Sequence, residues 1–449
     1  MKNSLAIKKI SVKKLFGSFD YTIPNRQELD ISRLLILYGD NGSGKTTVLR
    51  MLFWLLSTRD GSGYKSKLAR TKFQAFSVEF ENGVIIGAKR KRGVCEGTYE
   101  YYVKKGNKSI HSLEFPAGTN GGVAVETDTV EEAIYNDILK YLQDLDMLVF
   151  FLSDSRKLLN SRTSSEYKTS TREERFSSPN RQSKSAQFLR QVQARESNDQ
   201  SRHSISLEPV FYTLNNWVRS KMIDGSRVGE QNSNAIYATL IRNVASDTSN
   251  SSLKKMSKDE ILATLIDLEE KISPFVSLGF VEPFDGKDIK KSLSKAKTAS
   301  EIRYVTHIAT PFLDTVRAKI QAFGQLEKSV NLLLESINAF FSNKRLVFSV
   351  TDGFSFLQNN GESLELDSLS SGEKQLLLLF AQIVITAEQA TIFLIDEPEI
   401  SLNIKWQRKF VDSLLAFSLD KKIQFILASH SLELLSGSLG NVSELVDEK

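Results

Sequence analysis

Eight consecutive residues, Gly39-Asp40-Asn41-Gly42-Ser43-Gly44-Lys45-Thr46, carry the clearest chemistry in the sequence. Their pattern, G-x-x-x-x-G-K-T, is that of a phosphate-binding loop. Glycines let the backbone bend tightly and aim its N–H groups inward at phosphate oxygens. Lys45 is placed to reach the β- and γ-phosphates, the Thr46 hydroxyl to bind Mg²⁺, and Thr47 to complete the phosphate ligands. A second reactive pair, Asp396-Glu397, ends the apolar run Thr391-Ile392-Phe393-Leu394-Ile395. This is the Walker B pattern: Asp396 would hold Mg²⁺ directly or through water. Glu397 would orient and deprotonate an attacking water.

The flanking residues must position these groups. Leu34-Leu35-Ile36-Leu37-Tyr38 reads as a strand and Thr47 to Leu56 as a helix, whose positive N-terminal end faces the same anion. Before them, residues 5–11 and 18–23 read as short strands. After them, Phe73 to Phe80 alternates, Glu81-Asn82-Gly83 turns, and Val84 to Gly87 returns as a hairpin. Lys89-Arg90-Lys91-Arg92 extends that hairpin, as a solvated end or a nucleic-acid contact. A further β pair spans Thr98 to Leu113. Thr129 opens a helix to about Leu142, and Met147 to Leu152 is a buried strand.

The middle of the chain changes character. Residues 157–206 are rich in Ser, Arg, Gln and Asn and read as a mobile, basic segment. Leu207 to Met222, Ala235 to Val244, a capped helix beginning at Ser257, and Phe312 to Phe341 read as helices. Strands return at Arg345 to Val350 and Phe354 to Leu357. Leu376 to Ala390 reads as helix, and Ile423 to Ala428 as a strand ending at Ser429-His430-Ser431.

The chain has 449 residues, 25% charged and 41% hydrophobic, with a net charge of +5. That balance permits nucleic-acid contact without arguing for it. Cys95 is the only cysteine, so no intrachain disulfide forms and a reducing cytoplasm fits. No apolar run approaches the roughly 20 residues that span a bilayer. A signal-peptide core is missing from the first residues, so a membrane-embedded chain is not expected and no membrane is named among its partners, while a subunit docked on a membrane partner stays open.

Between the two halves of the site lies Leu369-Ser370-Ser371-Gly372-Glu373-Lys374-Gln375. Here the chain resembles the ABC-type ATPases, whose signature has this form. The resemblance implies an α/β fold: an ABC-type P-loop ATPase head formed by N- and C-terminal lobes, with an inserted α-helical domain. The expected boundaries are 1–155, 156–343 and 344–449. It implies ATP and Mg²⁺ as cofactors. It also implies that Ser370, Ser371, Gly372 and Glu373 meet the γ-phosphate held by an opposite subunit. Glu399-Ile400-Ser401-Leu402-Asn403 stands in place of the D-loop, although relatives usually carry histidine where this chain has Asn403. His430 sits where the family keeps its switch histidine, which contacts the γ-phosphate and the attacking water. Ser153 to Arg156 is the best Q-loop candidate.

Within that family, Glu-Lys-Gln after the signature and Asp-Glu-Pro-Glu-Ile-Ser-Leu resemble the RecF/SMC-like branch. They are most similar to ATPases of the OLD nucleases and of phage-defence systems such as Septu and PARIS. Only nineteen residues follow His430 (449 − 430), so a TOPRIM-type nuclease is expected as a separate chain. The resemblance thus implies a slow, assembly-dependent ATPase switch in a two-component anti-phage system. Its partners would be a second copy of itself in a head-to-head dimer or larger homo-oligomer, the nuclease effector and a phage-encoded trigger. The alternative is a RecF/SMC-like repair ATPase that grips duplex DNA. A transporter subunit fits less well, given the helical insertion and the signature tail.

Overall fold

The computed structural model describes residues 5–26, 29–59, 62–118, 122–123, 129–154, 158–162, 207–245, 256–284, 286–386, 388–419 and 421–448. Most of the basic 157–206 segment, and the Q-loop candidates Ser155 and Arg156, lie outside these. The chain forms two compact units, residues 1–205 with 370–449, and residues 206–369.

The first unit joins both ends of the chain. Strands β1 (Ile7–Leu15), β2 (Phe19–Ile23), β4 (Ala75–Phe80), β5 (Val84–Lys89), β6 (Tyr99–Lys105) and β7 (Lys108–Phe115) form an antiparallel sheet in the order β2-β1-β4-β5-β6-β7. A second sheet has the order β15-β3-β14-β13-β8-β9. It uses β3 (Leu34–Tyr38), β8 (Met147–Leu152), β9 (Leu158–Asn160), β13 (Ala390–Asp396), β14 (Ile423–Ser429) and β15 (Val442–Glu444). Its pairs are parallel except β8 with the edge strand β9. The central strands are near-continuous apolar runs, as strands covered on both faces must be.

Helix α1 (Lys45–Leu56) follows β3. Its Val48, Leu49, Leu52 and Phe53 join side chains of both sheets in one core. The sheets are also stitched by a polar contact. Gln424 is fully buried, its Oε1 accepting from Ile7 N–H (2.7 Å) and its Nε2 donating to Ile7 O (2.9 Å) and Ile31 O (2.8 Å). Helices α2 (Tyr64–Arg70) and α3 (Val130–Asp144) complete the N-terminal part.

The basic run beside β5 is not a uniformly solvated end. Arg90 is buried and donates to the carbonyls of Leu68, Ala69, Thr71, Phe73, Cys95 and Gly97, with its guanidinium 4.0 Å from the Phe73 ring centre. It caps the C-terminal end of α2, whose last carbonyls have no intrahelical donor. Lys89 pairs with Glu100, and only Lys91 and Arg92 of the run are exposed.

In the second unit, α4 (Glu208–Ala245) is one helix where two shorter ones were expected. It is followed by α5 (Lys258–Leu278), α6 (Lys287–Lys295) and α7 (Ala299–Asn338). Helix α7 begins thirteen residues before the expected Phe312, because Thr298 and Glu301 form a reciprocal capping box and Pro311 is tolerated inside. Along α5 the sequence shows an apolar stripe at helical spacing, Ile261, Leu262, Leu265, Ile266, Leu268 and Ile272. Of these, Ile261, Leu265, Leu268 and Ile272 are buried with Leu293, Leu313 and Val316 in one core, whereas Ile266 is 61% exposed. Strands β10 (Lys344–Ser349), β11 (Gly353–Gln358) and β12 (Ser363–Leu364) form their own antiparallel sheet. Among the described residues they pair only with one another, and residues 344–369 fall within the second unit, the C-terminal part of the first beginning at 370. Among the described residues, no helix is long and apolar enough to cross a membrane.

Candidate functional site

The parallel sheet gathers the reactive groups at one edge. Neighbouring strands β3, β14 and β13 end in register, with Ser429 opposite Tyr38 and Asp396 opposite Ala428. The phosphate loop, His430 and Glu397 therefore leave the sheet side by side at its carboxyl edge, where open α/β sheets bind ligands.

The loop itself is tightly held. Gly42 (φ +85°) and Gly44 (φ +92°) are left-handed, and a Cβ on Gly44 would come within 2.7 Å of Leu15 Cδ2. From the other sheet, the Tyr21 hydroxyl donates to Ser43 O at 2.9 Å. Lys45 is 5% exposed and folds back over the loop, its Nζ donating to Gly39 O (2.6 Å) and Asp40 O (3.0 Å). Asp40, Asn41 and Gly42 are exposed, and Ser43 Oγ is buried with no hydrogen-bond partner. An ammonium, an orphaned hydroxyl and a helix N-terminus around one loop form a cradle with the chemistry for phosphate.

Beside it, Thr46 Oγ1 donates to Asp396 Oδ1 at 2.8 Å. Asp396 is fully buried and its Oδ2 has no partner. Burial pushes its carboxyl up to about 6, against the Thr46 hydrogen bond and the Arg50 charge, with Asp154 and Glu397 adding to the rise. Arg50 pairs loosely with Asp154 at 3.5 Å. No group of three or more His, Cys, Asp or Glu able to hold a metal ion by itself occurs among the described residues. Mg²⁺ does not need one, because it is held by one or two carboxylates together with substrate phosphates. A hydroxyl beside a carboxylate with an unpartnered buried oxygen fits that ion.

Glu397 adopts a left-handed backbone (φ 48°, ψ 56°), and its N–H donates to Ala428 O at 2.9 Å. A non-glycine residue in that region costs about 1–3 kcal/mol, and such strain clusters at functional sites. His430 leaves β14 with its side chain about half exposed. The signature residues stand on another element. Ser371 begins α8 (Ser371–Thr386), and Ser370 and Glu373 cap it reciprocally: Ser370 N–H donates to Glu373 Oε2 (2.7 Å) and Glu373 N–H to Ser370 Oγ (3.4 Å). Glu373 thus has a structural task in its own helix. Asn403 caps α9 (Ile404–Phe417), accepting from Trp406 N–H. Of the Q-loop candidates, Ser153 is buried and Asp154 exposed.

Near the site, Tyr21 escaped sequence reasoning altogether, and Glu399 was placed in the D-loop without its contact to the end of β14. Tyr21 had no local signal, since its contact is made across sheets. Glu399, third in the turn after Asp396, had one: it is the last acid of the Asp-Glu-Pro-Glu run.

A phosphate loop, a strand-end Asp-Glu pair and a third strand-end histidine, on a sheet built from both ends of the chain, define an α/β ABC-type ATPase head with an inserted helical module. Residues 34–436 match the family model described as "AAA domain, putative AbiEii toxin, Type IV TA system", and the chain belongs to that family. Nucleotide binding and hydrolysis in general follow from the family. No curated protein matches the sequence significantly. Among solved structures, the chain is similar to an Smc head domain with an extended coiled coil, bound to the C-terminal domain of ScpA, from Pyrococcus furiosus. That match has a TM-score of 0.37 at 12% identity, covering 96% of this chain and 91% of that one. An SmcHead bound to the C-winged helix domain of ScpA gives a TM-score of 0.34 at 12% identity, with 96% and 91% covered. Likenesses this distant carry no functional argument for this chain.

Proposed function

We propose that the chain is a Mg²⁺-dependent ATPase of the RecF/SMC-like kind, acting in the cytoplasm as a nucleotide-driven switch between single and paired heads. The observation that carries this reading is the Thr46–Asp396 contact at 2.8 Å with the second Asp396 oxygen buried and unpartnered. Lys45, with the N–H groups of Gly39 to Thr47, holds the β- and γ-phosphates. Thr46 and Asp396 would hold Mg²⁺, which would supply charge neutralisation at the β- and γ-phosphates. Glu397 orients the attacking water and takes its proton. His430 contacts the γ-phosphate and that water. Ser371 and Gly372 of a second copy close the site through the N-terminus of their helix.

Replacing the base tests the assignment. Glu397→Gln should bind ATP and lower turnover by roughly 10²–10⁴-fold, the range for loss of a general base. Turnover at the wild-type rate would refute the role of Glu397.

Two outputs are proposed for the switch. The first is duplex DNA gripped by paired heads. Exposed Lys91 and Arg92 are the observation that favours it, reduced from four residues to two because Arg90 is committed to backbone carbonyls and Lys89 pairs with Glu100. The second is a separate nuclease effector in an antiviral two-component system. Its support is the resemblance of Asp396-Glu397-Pro398-Glu399-Ile400-Ser401-Leu402 to the ATPases of phage-defence systems. ATP-dependent, salt-sensitive retention of duplex DNA supports the first. ATP-dependent co-assembly with a nuclease encoded beside this chain supports the second.

A further inference from the structure

Glu399 stands in the turn Pro398–Ser401 after β13, and none of the roles above uses it. Its side chain is only 6% exposed. One oxygen, Oε1, accepts from Ser429 Oγ (2.8 Å) and His430 N–H (2.8 Å) and lies 3.1 Å from His430 Nδ1. The other, Oε2, is buried with no partner. The contacts of this carboxylate with the end of β14 thus converge on one atom.

A bare Nδ1 lone pair facing a carboxylate oxygen at 3.1 Å is repelled and a proton on Nδ1 is attracted, so the contact favours the Nδ1–H tautomer. In a neutral imidazole the hydrogen bond made by one nitrogen sets the tautomer and fixes what the other can do. With Nδ1 facing Glu399, Nε2 is the nitrogen left for other partners on a ring that is about half exposed. A second grip acts from the other flank. Gln407 accepts from Ser431 Oγ (2.7 Å) while its Nε2 donates to Leu402 O (2.8 Å). The segment Ser429–Ser431 is therefore held between the turn Pro398–Ser401 and α9.

We infer that Glu399 is the positioning residue of the site: its carboxylate holds His430 in the Nδ1–H tautomer and aims Nε2 at the reacting phosphate and water. The target of Nε2 rests on the ATPase reading above; the tautomer does not. The arrangement also makes the turn Pro398–Ser401 a lever on His430, since moving Glu399 moves both the ring nitrogen and the backbone N–H that it holds. Removing such an orienting partner lowers activity by roughly 10–100-fold where it has been measured behind metal-bound histidines.

Two measurements on the full chain test this. The chain has four histidines, so ¹⁵N-histidine NMR with His430→Gln for assignment isolates the signal. At pH 8 the wild type is expected to show protonated Nδ1 and bare Nε2; a proton on Nε2 alone would overturn the inference, whatever the enzyme does. In ATPase assays, Glu399→Leu, of similar volume, is expected to lower kcat at least tenfold with KM for ATP within about twofold. In a His430→Ala background the same substitution should change kcat less than twofold, because partners acting as one unit are non-additive. Fully additive losses would show that Glu399 acts elsewhere. Should Glu399→Leu not fold, the wild-type tautomer still decides. A wild type without ATPase activity would instead refute the enzyme reading.

Discussion

Thr46 Oγ1 donates to Asp396 Oδ1 at 2.8 Å, across 350 residues of chain. This bond joins the two halves of the site. The carboxylate it meets is electrostatically uncomfortable, since burial raises its pKa to about 6. An unfolded Asp titrates near 3.9. Between these values the folded state holds a proton that the unfolded state has lost, so the stability Asp396 contributes is lost as pH rises through about 6.

The consequence is a stabilising loss of function. Asp396→Asn keeps an acceptor for Thr46 and removes the buried charge. Nucleotide-free protein at pH 7.5 should gain on the order of 1–3 kcal/mol, read as a higher Tm than wild type. The gain should shrink as pH falls below about 6 and vanish only below the unfolded value of about 3.9, and the stabilisation of wild type by Mg²⁺ with nucleotide should be lost. Equal stability of the two proteins at pH 7.5 would contradict the burial argument.

Arg90 is predicted to be structural. Arg90→Leu leaves buried carbonyls at the end of α2 without a donor and should destabilise the fold by about 3–5 kcal/mol in urea titration. Arg90→Lys should recover little, because an ammonium cannot reach six carbonyls spread around a planar fork. Unchanged stability with weakened DNA binding would instead return Arg90 to the nucleic-acid reading.

Gln424 offers a second stability test, on the link between the two sheets. Gln424→Leu strands the N–H and O of Ile7 and the O of Ile31 in the core, and should cost about 2–4 kcal/mol. Gln424→Glu should cost more, because it loses both donated bonds and places a charge there. A Tm within a degree of wild type would show that the sheets are held by apolar packing alone.

What could be read in the sequence was what is local. The phosphate loop sits between its own strand and helix, and Asp396, Glu397 and His430 end apolar strands, so neighbouring residues announce them. Arg90 looked like part of a charge run because the carbonyls it binds come from separate stretches around Leu68, Phe73 and Cys95. Tyr21 meets the phosphate loop only through the pairing of sheets. Helix α4 was read as two pieces because its middle is polar, with no apolar stripe to carry the period across. Strands β10 to β12 gave a clear alternation, but alternation does not say which sheet a strand joins, and they pair among themselves. Glu399 was visible as an acid in a loop; its partner on the next strand was not.

The central claim is that a complete reaction centre needs two copies, one giving Lys45, Asp396 and Glu397 and the other Ser371 and Gly372. Subunit mixing tests it most directly. Lys45→Ala and Ser371→Arg should each abolish ATPase activity alone. Mixed in equal amounts, they should recover roughly a quarter of wild-type turnover, since half of randomly formed pairs hold one intact centre of two. A mixture as inactive as its components, or full activity from Ser371→Arg alone, would contradict the shared site.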